Sequence, residues 1–394
     1  MVFPFAVIGF IIGGGGKDNK QRPYHDGSII SLDYYSLNPR KSGQPAPAVQ
    51  PAPSPSPAPV AQPIPEGLEY EVVNGKSVTI KKYTGNATTL NIPVQIQGLP
   101  VTAIGVFAFD NSRLTSINLP STLTSIGMYA FFGCRNLTNI IIPSSVSSIG
   151  FQAFSYCGLT NITIPSSVKT IDEGAFISLN SLTNIIVDNH NSAYASIDGI
   201  LFDKKMQTLI AYPAGKSAET YTVPSSVTTI GRAFDDCSNL ISINIHPSVT
   251  VVNNYAFSGC SRLANIIVDG RNLSYASIDG ILFDKSIRTI IRYPQGKTAI
   301  TYTIPSSVTA IGNSAFFGNK SLTSITIPSS VTAIGNWAFS SCSSLTSITI
   351  PSSVTTIGEG AFIGCSSLIS VTLSRRTRVG ENAFPETARI VYRD

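Results

Sequence analysis

The pattern Ile-Gly-x-x-Ala-Phe recurs along the chain, with departures in some copies. Its closing Phe stands at positions 109, 131, 154, 176, 234, 257, 316, 339, 362 and 384. The intervals are 22, 23, 22, 58, 23, 59, 23, 23 and 22 residues, so subtracting one 23-residue period from each long interval leaves inserts of 35 and 36. A period of 22–23 residues predicts a solenoid, because a segment this short cannot bury its own apolar face and must stack on copies of itself. That reading replaces the two or three independent domains that a length of 394 residues would otherwise suggest.

One unit runs from Leu345 to Cys365. Leu345, Ile348 and Ile350 follow L-x-x-I-x-I, the short strand pattern of a leucine-rich repeat, and Pro351 ends the strand because it lacks a ladder N–H. Val354 and Ile357 return inward on a second extended stretch, and Ala361 and Phe362 are expected to close the coil from a short helical or 3₁₀ turn. About seven apolar side chains per coil, at roughly 1.5–3 kcal/mol per large side chain buried, can offset chain entropy once coils stack.

Two repeat positions invite functional readings and have structural ones. The repeat glycine is Gly in eight coils and Asp172 or Asn253 in the other two. Those residues best tolerate a left-handed backbone after Gly, so a left-handed turn is expected there. Cys134, Cys157, Cys237, Cys260, Cys342 and Cys365 each lie three residues after the repeat Phe. A single register predicts a structural column of buried free thiols. Bridges between neighbouring coils are the alternative, disfavoured because parallel side-chain vectors suit a disulfide poorly.

The inserts are copies at an offset of 81: Tyr194-Ala-Ser-Ile-Asp-Gly-Ile-Leu-Phe-Asp203 answers Tyr275-Ala-Ser-Ile-Asp-Gly-Ile-Leu-Phe-Asp284. Each reads as a β-hairpin projecting from the stack, with Asp198-Gly199 and Asp279-Gly280 as its turns. Asp188, Asp198 and Asp203 would offer oxygens to calcium, but they lack a D-x-D-x-D-G loop and each has a turn explanation.

The ends differ from the repeats. Residues 1–16 form an apolar, signal-like or anchor segment, the sole expected membrane contact; no basic residue precedes it and no clear cleavage site follows. Its glycine run does not match a phosphate loop. Residues 17–43 are polar and are expected to lack order. The linker 44–66 holds nine prolines between Pro45 and Pro65 and predicts a polyproline II spacer of roughly 65 Å, with its P-x-x-P pieces as alternative ligands for aromatic grooves. Residues 67–103 comprise a capping hairpin turned at Asn74-Gly75 and a first partial coil. The solenoid proper is assigned to 104–394, with inserts near 188–222 and 269–303. Arg375, Arg376, Arg378, Arg389 and Arg393 read as a polar C-terminal cap in preference to an anion site.

The units SLTSITIPSSVTTIGEGAFIGCSS (344–367) and LTNITIPSSVKTIDEGAF (159–176) resemble the BspA-like, or Treponema-type, leucine-rich-repeat family. The inserts, with Y-x-S-I-D-G-I-L-F and a later Tyr-Pro, look like a recurrent module of that family. The resemblance covers about residues 68–394. It implies a curved leucine-rich-repeat solenoid of about ten coils with a parallel β-sheet, and a cell-surface or secreted role in adhesion to host matrix proteins, host cells or other microbes. It carries over no residue-level binding motif, and the chain shows neither a lipobox cysteine nor an LPxTG sorting sequence.

Only 12% of residues are charged, and a net charge of +5 over 41.8 kDa is too dilute for nucleic acid. The three histidines, His25, His190 and His246, have no acid or nucleophile at defined spacing, and the Ser residues of PSSV read as turn chemistry. No enzyme, metal or cofactor is expected. Stacked strands about 4.8 Å apart over ten coils predict a strip about 45 Å long that suits a broad protein or glycan ligand. The candidate binding face comprises Asn139, Ile141, Thr163, Ile186, Asn244, Ile267, Thr326 and Thr349. Ile141, Ile186 and Ile267 are its apolar contacts, unless they are there only because strands favour β-branched residues. The competing roles are a structural or self-associating envelope component and an intracellular interaction scaffold.

Overall fold

The computed structural model describes residues 63–393; the expectations for residues 1–62 lie outside the described residues. In the unit Leu345–Cys365 the spacing works as predicted. Leu345, Ile348, Ile350, Val354, Ile357, Ala361, Phe362 and Cys365 are all buried. Strand Ser347–Thr349 carries the first face, a turn closed from Val354 N to Pro351 O (3.0 Å) follows, and strand Thr356–Ile357 carries the second. Repetition of this course produces a β-solenoid of about 14 turns with parallel sheets.

The extra turns beyond the ten expected lack the motif. Ser77–Tyr83, Thr208–Ala211 and Thr289–Arg292 each complete a turn, and Arg389–Arg393 begins another. Tyrosine takes the Phe position in the first three. Tyr83 meets Phe109 at 5.9 Å, Tyr212 meets Phe234 at 5.5 Å, and Tyr293 meets Phe316 at 5.0 Å. Within each block the phenylalanines stack nearly parallel, as at Phe316–Phe339 (4.8 Å) and Phe339–Phe362 (4.9 Å).

The expected helical or 3₁₀ corner is absent among the described residues. Its backbone donors reach the next coil instead: Phe131 N donates to Ala153 O (2.8 Å), and Phe339 N to Ala361 O (2.7 Å). A helix would spend those N–H groups within one coil; here they tie neighbouring coils together on the third side, satisfying groups that cannot be buried unpaired.

The repeat glycine also departs from expectation. None of the eight has positive φ. The left-handed residues are the one before Ala-Phe (Tyr129, φ 56°; Gly360, φ 56°) and the one two beyond Phe (Gly133, φ 71°; Gly364, φ 73°). What demands glycine is close approach: a Cβ on Gly150 would stand 2.7 Å from Gly127 C and 2.6 Å from Met128 N. Asp172 and Asn253 belong to the last coil before each insert, and the coils above them carry Ile210 and Ile291 at this register.

The inserts do not project. Tyr194–Ile197 and Ile200–Asp203 pair antiparallel around a type I′ turn, with Asp198 at φ 50° and Gly199 at φ 73°. Ile200–Asp203 then pairs with Thr208–Ala211, which joins the parallel ladder at Thr229–Ile230. Leu201 packs into the core that begins at Leu68, while Ile200 and Phe202 pack into the core that continues to Ile266. The second insert repeats this, with Leu282 facing back and Ile281 and Phe283 forward. Each strand is thus a wall between two core blocks. Three consecutive large apolar residues, instead of alternation, are the mark of a strand buried on both faces.

At the ends, Ser77–Tyr83 pairs in parallel with Leu99–Ile104 and antiparallel with Leu68–Val73, so the hairpin covers the first coil. Arg389–Arg393 pairs with Ser370–Ser374, and Arg375 lies over the Tyr392 ring at 5.4 Å. Charge on this last strand discourages further pairing.

Candidate functional site

Side chains alternate along the first-face strands, so Ile162, Ile164, Ile185 and Val187 point inward and Thr163 and Ile186 outward. Thr163 pairs with Ile186 and Asn244 with Ile267. Thr326 pairs with Thr303 and Thr349 with Thr372, all one column of the repeat. Asn139 and Ile141 are exposed and lie outside the assigned strands. Ile141 is 76% exposed, Ile186 45% and Ile267 49%.

The strip is not continuous. Beside strand Asn184–Val187 sits the hairpin turn: Ile185 N donates to Gly199 O at 2.9 Å and Val187 N to Ser196 Oγ at 3.0 Å. Ile266 N and Val268 N bond Gly280 O and Ser277 Oγ in the same way, both at 2.9 Å. Ile186 and Ile267 therefore stand between residues gripped by a hairpin, and exposed Ile197 and Ile278 flank the two turns. Sequence reasoning missed these last two; their identical placement before Asp-Gly was the available signal.

The acidic residues of the first insert serve turns. Asp203 Oδ1 accepts from Gln207 N (2.7 Å) and Thr208 N (2.6 Å), and Asp188 Oδ1 accepts from His190 N (2.8 Å). Among the described residues no three His, Cys, Asp or Glu side chains group as metal ligands. His246 Nδ1 lies 2.9 Å from Ser248 Oγ, but that hydroxyl donates to Val227 O at 2.7 Å. Ser145, Ser167, Ser330 and Ser353 make the same bond to the preceding coil.

The six cysteines are buried and free. Five of them direct Sγ at the Phe carbonyl of the preceding coil: Cys134 to Phe109 O (3.0 Å), Cys157 to Phe131 O (3.0 Å), Cys260 to Phe234 O (2.9 Å), Cys342 to Phe316 O (3.1 Å) and Cys365 to Phe339 O (3.1 Å). Cys237 reaches Tyr212 O at 3.5 Å. Burial pushes the Cys342 thiol well above its ordinary range, which leaves it protonated as the donor. Cys342→Ala should therefore cost about 1 kcal/mol, because it removes one of the two donors to Phe316 O and leaves Asn319 N at 3.1 Å as the other. Cys342→Ser, which keeps a donor, should cost less; chemical denaturation of both variants checks the order.

A buried ionic cluster bridges the shortened corner after the first insert. Asp235 Oδ2 accepts from Arg232 Nη2 at 2.6 Å, and Arg232 lies over Tyr255 at 5.3 Å. Fully buried Arg292 donates to Ser314 O (2.8 Å) and Phe257 O (2.9 Å). Burial, opposed by Arg232, holds the Asp235 carboxyl up at about 6. A carboxyl raised from 3.8 keeps a proton that the unfolded chain releases, so its contribution is full below pH 4 and is lost as pH rises through 6. Asp235→Asn should then exceed the native protein by about 3 kcal/mol above pH 7 and match it below pH 4. Urea unfolding at both pH values tests this; a variant weaker at pH 7 would show that the Arg232 pair outweighs burial.

Residues 102–204, 195–303 and 295–392 match the BspA type leucine-rich-repeat region, in six copies. A leucine-rich cell surface protein of Faecalibacterium prausnitzii is 27% identical, covering 84% of this chain and 96% of its own with a TM-score of 0.43. A leucine-rich-repeat protein of Eubacterium ventriosum is 22% identical over 77% of this chain and 94% of its own, with a TM-score of 0.43. The pneumococcal vaccine antigen PcpA is 19% identical over 84% and 87%, with a TM-score of 0.41. No curated protein matches. With the matched residues spanning 102–392 of 394, the chain belongs to the BspA-type leucine-rich-repeat family.

Proposed function

We propose that this chain is a non-catalytic binding protein displayed on or secreted from the cell, which adheres to matrix proteins, host cells or other microbes through the first face of the solenoid. The observation that carries this reading is the outward column: exposed Ile141, Ile186 and Ile267 among neutral Thr163, Asn244, Thr326 and Thr349. Uncharged hydrogen-bonding groups around isolated apolar contacts suit a broad protein or glycan surface better than a charged ligand. Ser248 Oγ donates to Val227 O and His246 Nδ1 accepts from Ser248 N, which places both side chains in turn bonds.

The first test is protease and antibody accessibility of residues 67–394 on intact native cells, with an intracellular protein as the lysis control. Exposure supports the reading, and protection until lysis moves the role to an internal scaffold. The second is binding to matrix proteins and neighbouring cells by the triple variant Ile141→Asp, Ile186→Asp, Ile267→Asp. Buried contacts at an interface core should make this variant lose at least about tenfold in affinity; full retention would exclude this face.

A further inference from the structure

Charge is scarce along the later coils and then concentrated in one turn. Among residues 321–374 the sole Asp, Glu, Lys or Arg is Glu359, whereas residues 375–393 hold five arginines, two glutamates and no lysine. Residues 63–374 hold ten lysines beside seven arginines, so the restriction to arginine is local. Arg375, Arg376, Arg378, Arg389 and Arg393 are all exposed. Among the described residues Arg376, Arg378, Arg389 and Arg393 have no carboxylate at ion-pair distance, whereas Arg232, Arg262 and Arg271 are paired with Asp235, Glu219 and Asp269. A turn that only had to keep the array soluble would be served as well by lysine or by charges of mixed sign.

The backbone holds these side chains along one rim. Arg389 N donates to Ile369 O (2.8 Å), and the parallel pairing sets Arg389 beside Ser370 and Arg393 beside Ser374. Strand alternation puts Arg389 and Arg393 on one side of their strand, about 13 Å apart. That side is the outward first face, because Val391 between them continues the column of Thr349 and Thr372. Arg375 and Arg376 follow Ser374 in the turn. There Arg376 N donates to Ser374 Oγ (3.2 Å), and Arg375 covers the Tyr392 ring at 5.4 Å. Arg378 opens the second-face strand Arg378–Val379, with its N–H bonded to Thr355 O at 2.8 Å. The guanidinium groups thus run from the first face round the turn to the second. Beside them the hydroxyl side chains of Ser347, Ser370, Thr349 and Thr372 share the outward register.

We propose that this arginine rim binds a linear anionic polysaccharide, at a site separate from the first-face isoleucines. A guanidinium offers a sulfate or carboxylate group two parallel N–H donors, which lysine cannot do. Several such forks along a rim match charges repeated along a polymer and exceed what one small anion can engage. The neighbouring serine and threonine hydroxyls both donate and accept, as recognition of sugar hydroxyls requires and an acidic protein segment does not. Glu359 is the lone charge on residues 321–374, so little opposes the positive field that steers a polyanion to the rim.

The test is calorimetric titration of the full chain with heparin, the sulfated probe, and polygalacturonate, the carboxylated one. At least one should bind, and its affinity should fall at least about tenfold between about 50 and about 200 mM salt as counterions are released. Binding of neither overturns the proposal. The variant Arg376→Gln, Arg378→Gln, Arg389→Gln, Arg393→Gln should melt with the native protein and lose at least about tenfold in affinity; equal affinity overturns the proposal. Lysine at the same four positions keeps the charge without the fork and should lose at least about threefold. Native affinity in that variant overturns the site, since any solvated positive charge would then suffice. Should the Gln variant melt lower, the Lys variant alone decides. Polyglutamate should bind at least about threefold more weakly than the better polysaccharide; equal binding overturns the proposal in favour of an acidic protein. The variant Ile141→Asp, Ile186→Asp, Ile267→Asp should keep the polysaccharide affinity, and loss of that affinity would overturn the separation of the two sites.

Discussion

Phe202→Ala should cost about 3–5 kcal/mol and Leu201→Ala about 2–5 kcal/mol, and the two losses should surface in different parts of the solenoid. Both residues are on strand Ile200–Asp203 and both are buried. Leu201 belongs to the core reaching back to Leu68, whereas Phe202 belongs to the core running on to Ile266. In a one-dimensional array stability is nearly a sum of local terms, so a cavity loosens its own block first. Hydrogen exchange should accelerate in Asn184–Val187 for Leu201→Ala, and in Thr229–Ile230 and Ser242–Ile245 for Phe202→Ala. Leu282 and Phe283 supply the internal repeat of the experiment. A projecting hairpin would instead leave both variants within about 0.5 kcal/mol of native.

Much of the solenoid was legible because repetition multiplies weak signals. One L-x-x-I-x-I stretch is ambiguous, but nine in register from Leu114 to Leu368, with Val or Leu in place of some Ile, identify the inward face, and Leu345, Ile348 and Ile350 are buried as their spacing predicts. The turn chemistry of Asp198-Gly199 was local and therefore readable. What resisted reading depended on neighbouring coils. Ala361-Phe362 has the composition of a helical turn, yet its backbone is satisfied by the adjacent coil, as when Phe339 N bonds Ala361 O. The Ile-Leu-Phe run of each insert signalled burial on both faces, but a partition is recognised only once the two core blocks exist. Ile186 and Ile267 shared an outward register in the sequence; the hairpin turns beside them, and Ile197 and Ile278 at their flanks, depended on how the inserts fold back.

The repeat glycine offers the sharpest separation between a local and a neighbour-imposed requirement. Were it needed for a left-handed turn, Gly150→Asn would be tolerated and Gly150→Ala would cost only about 1 kcal/mol. The backbone at Gly150 is not left-handed, and its missing Cβ leaves room for Gly127 C and Met128 N at 2.7 and 2.6 Å from that point. Neither atom can swing aside as a flexible side chain would. Gly150 N also donates to Ile126 O at 2.8 Å, so retreating from the clash would stretch the bond that holds the two coils together. Gly150→Ala should therefore cost about 3 kcal/mol or more, at the upper end of overpacking effects, and Gly150→Asn at least as much. Gly364 is the control: it is left-handed at φ 73°, and the nearest atom to an added Cβ is Ser341 Oγ at 3.2 Å. Gly364→Asn should cost less than about 1 kcal/mol. Equilibrium unfolding of the three variants decides the matter, since a tolerated Gly150→Asn beside a damaging Gly364→Asn would restore the left-handed reading.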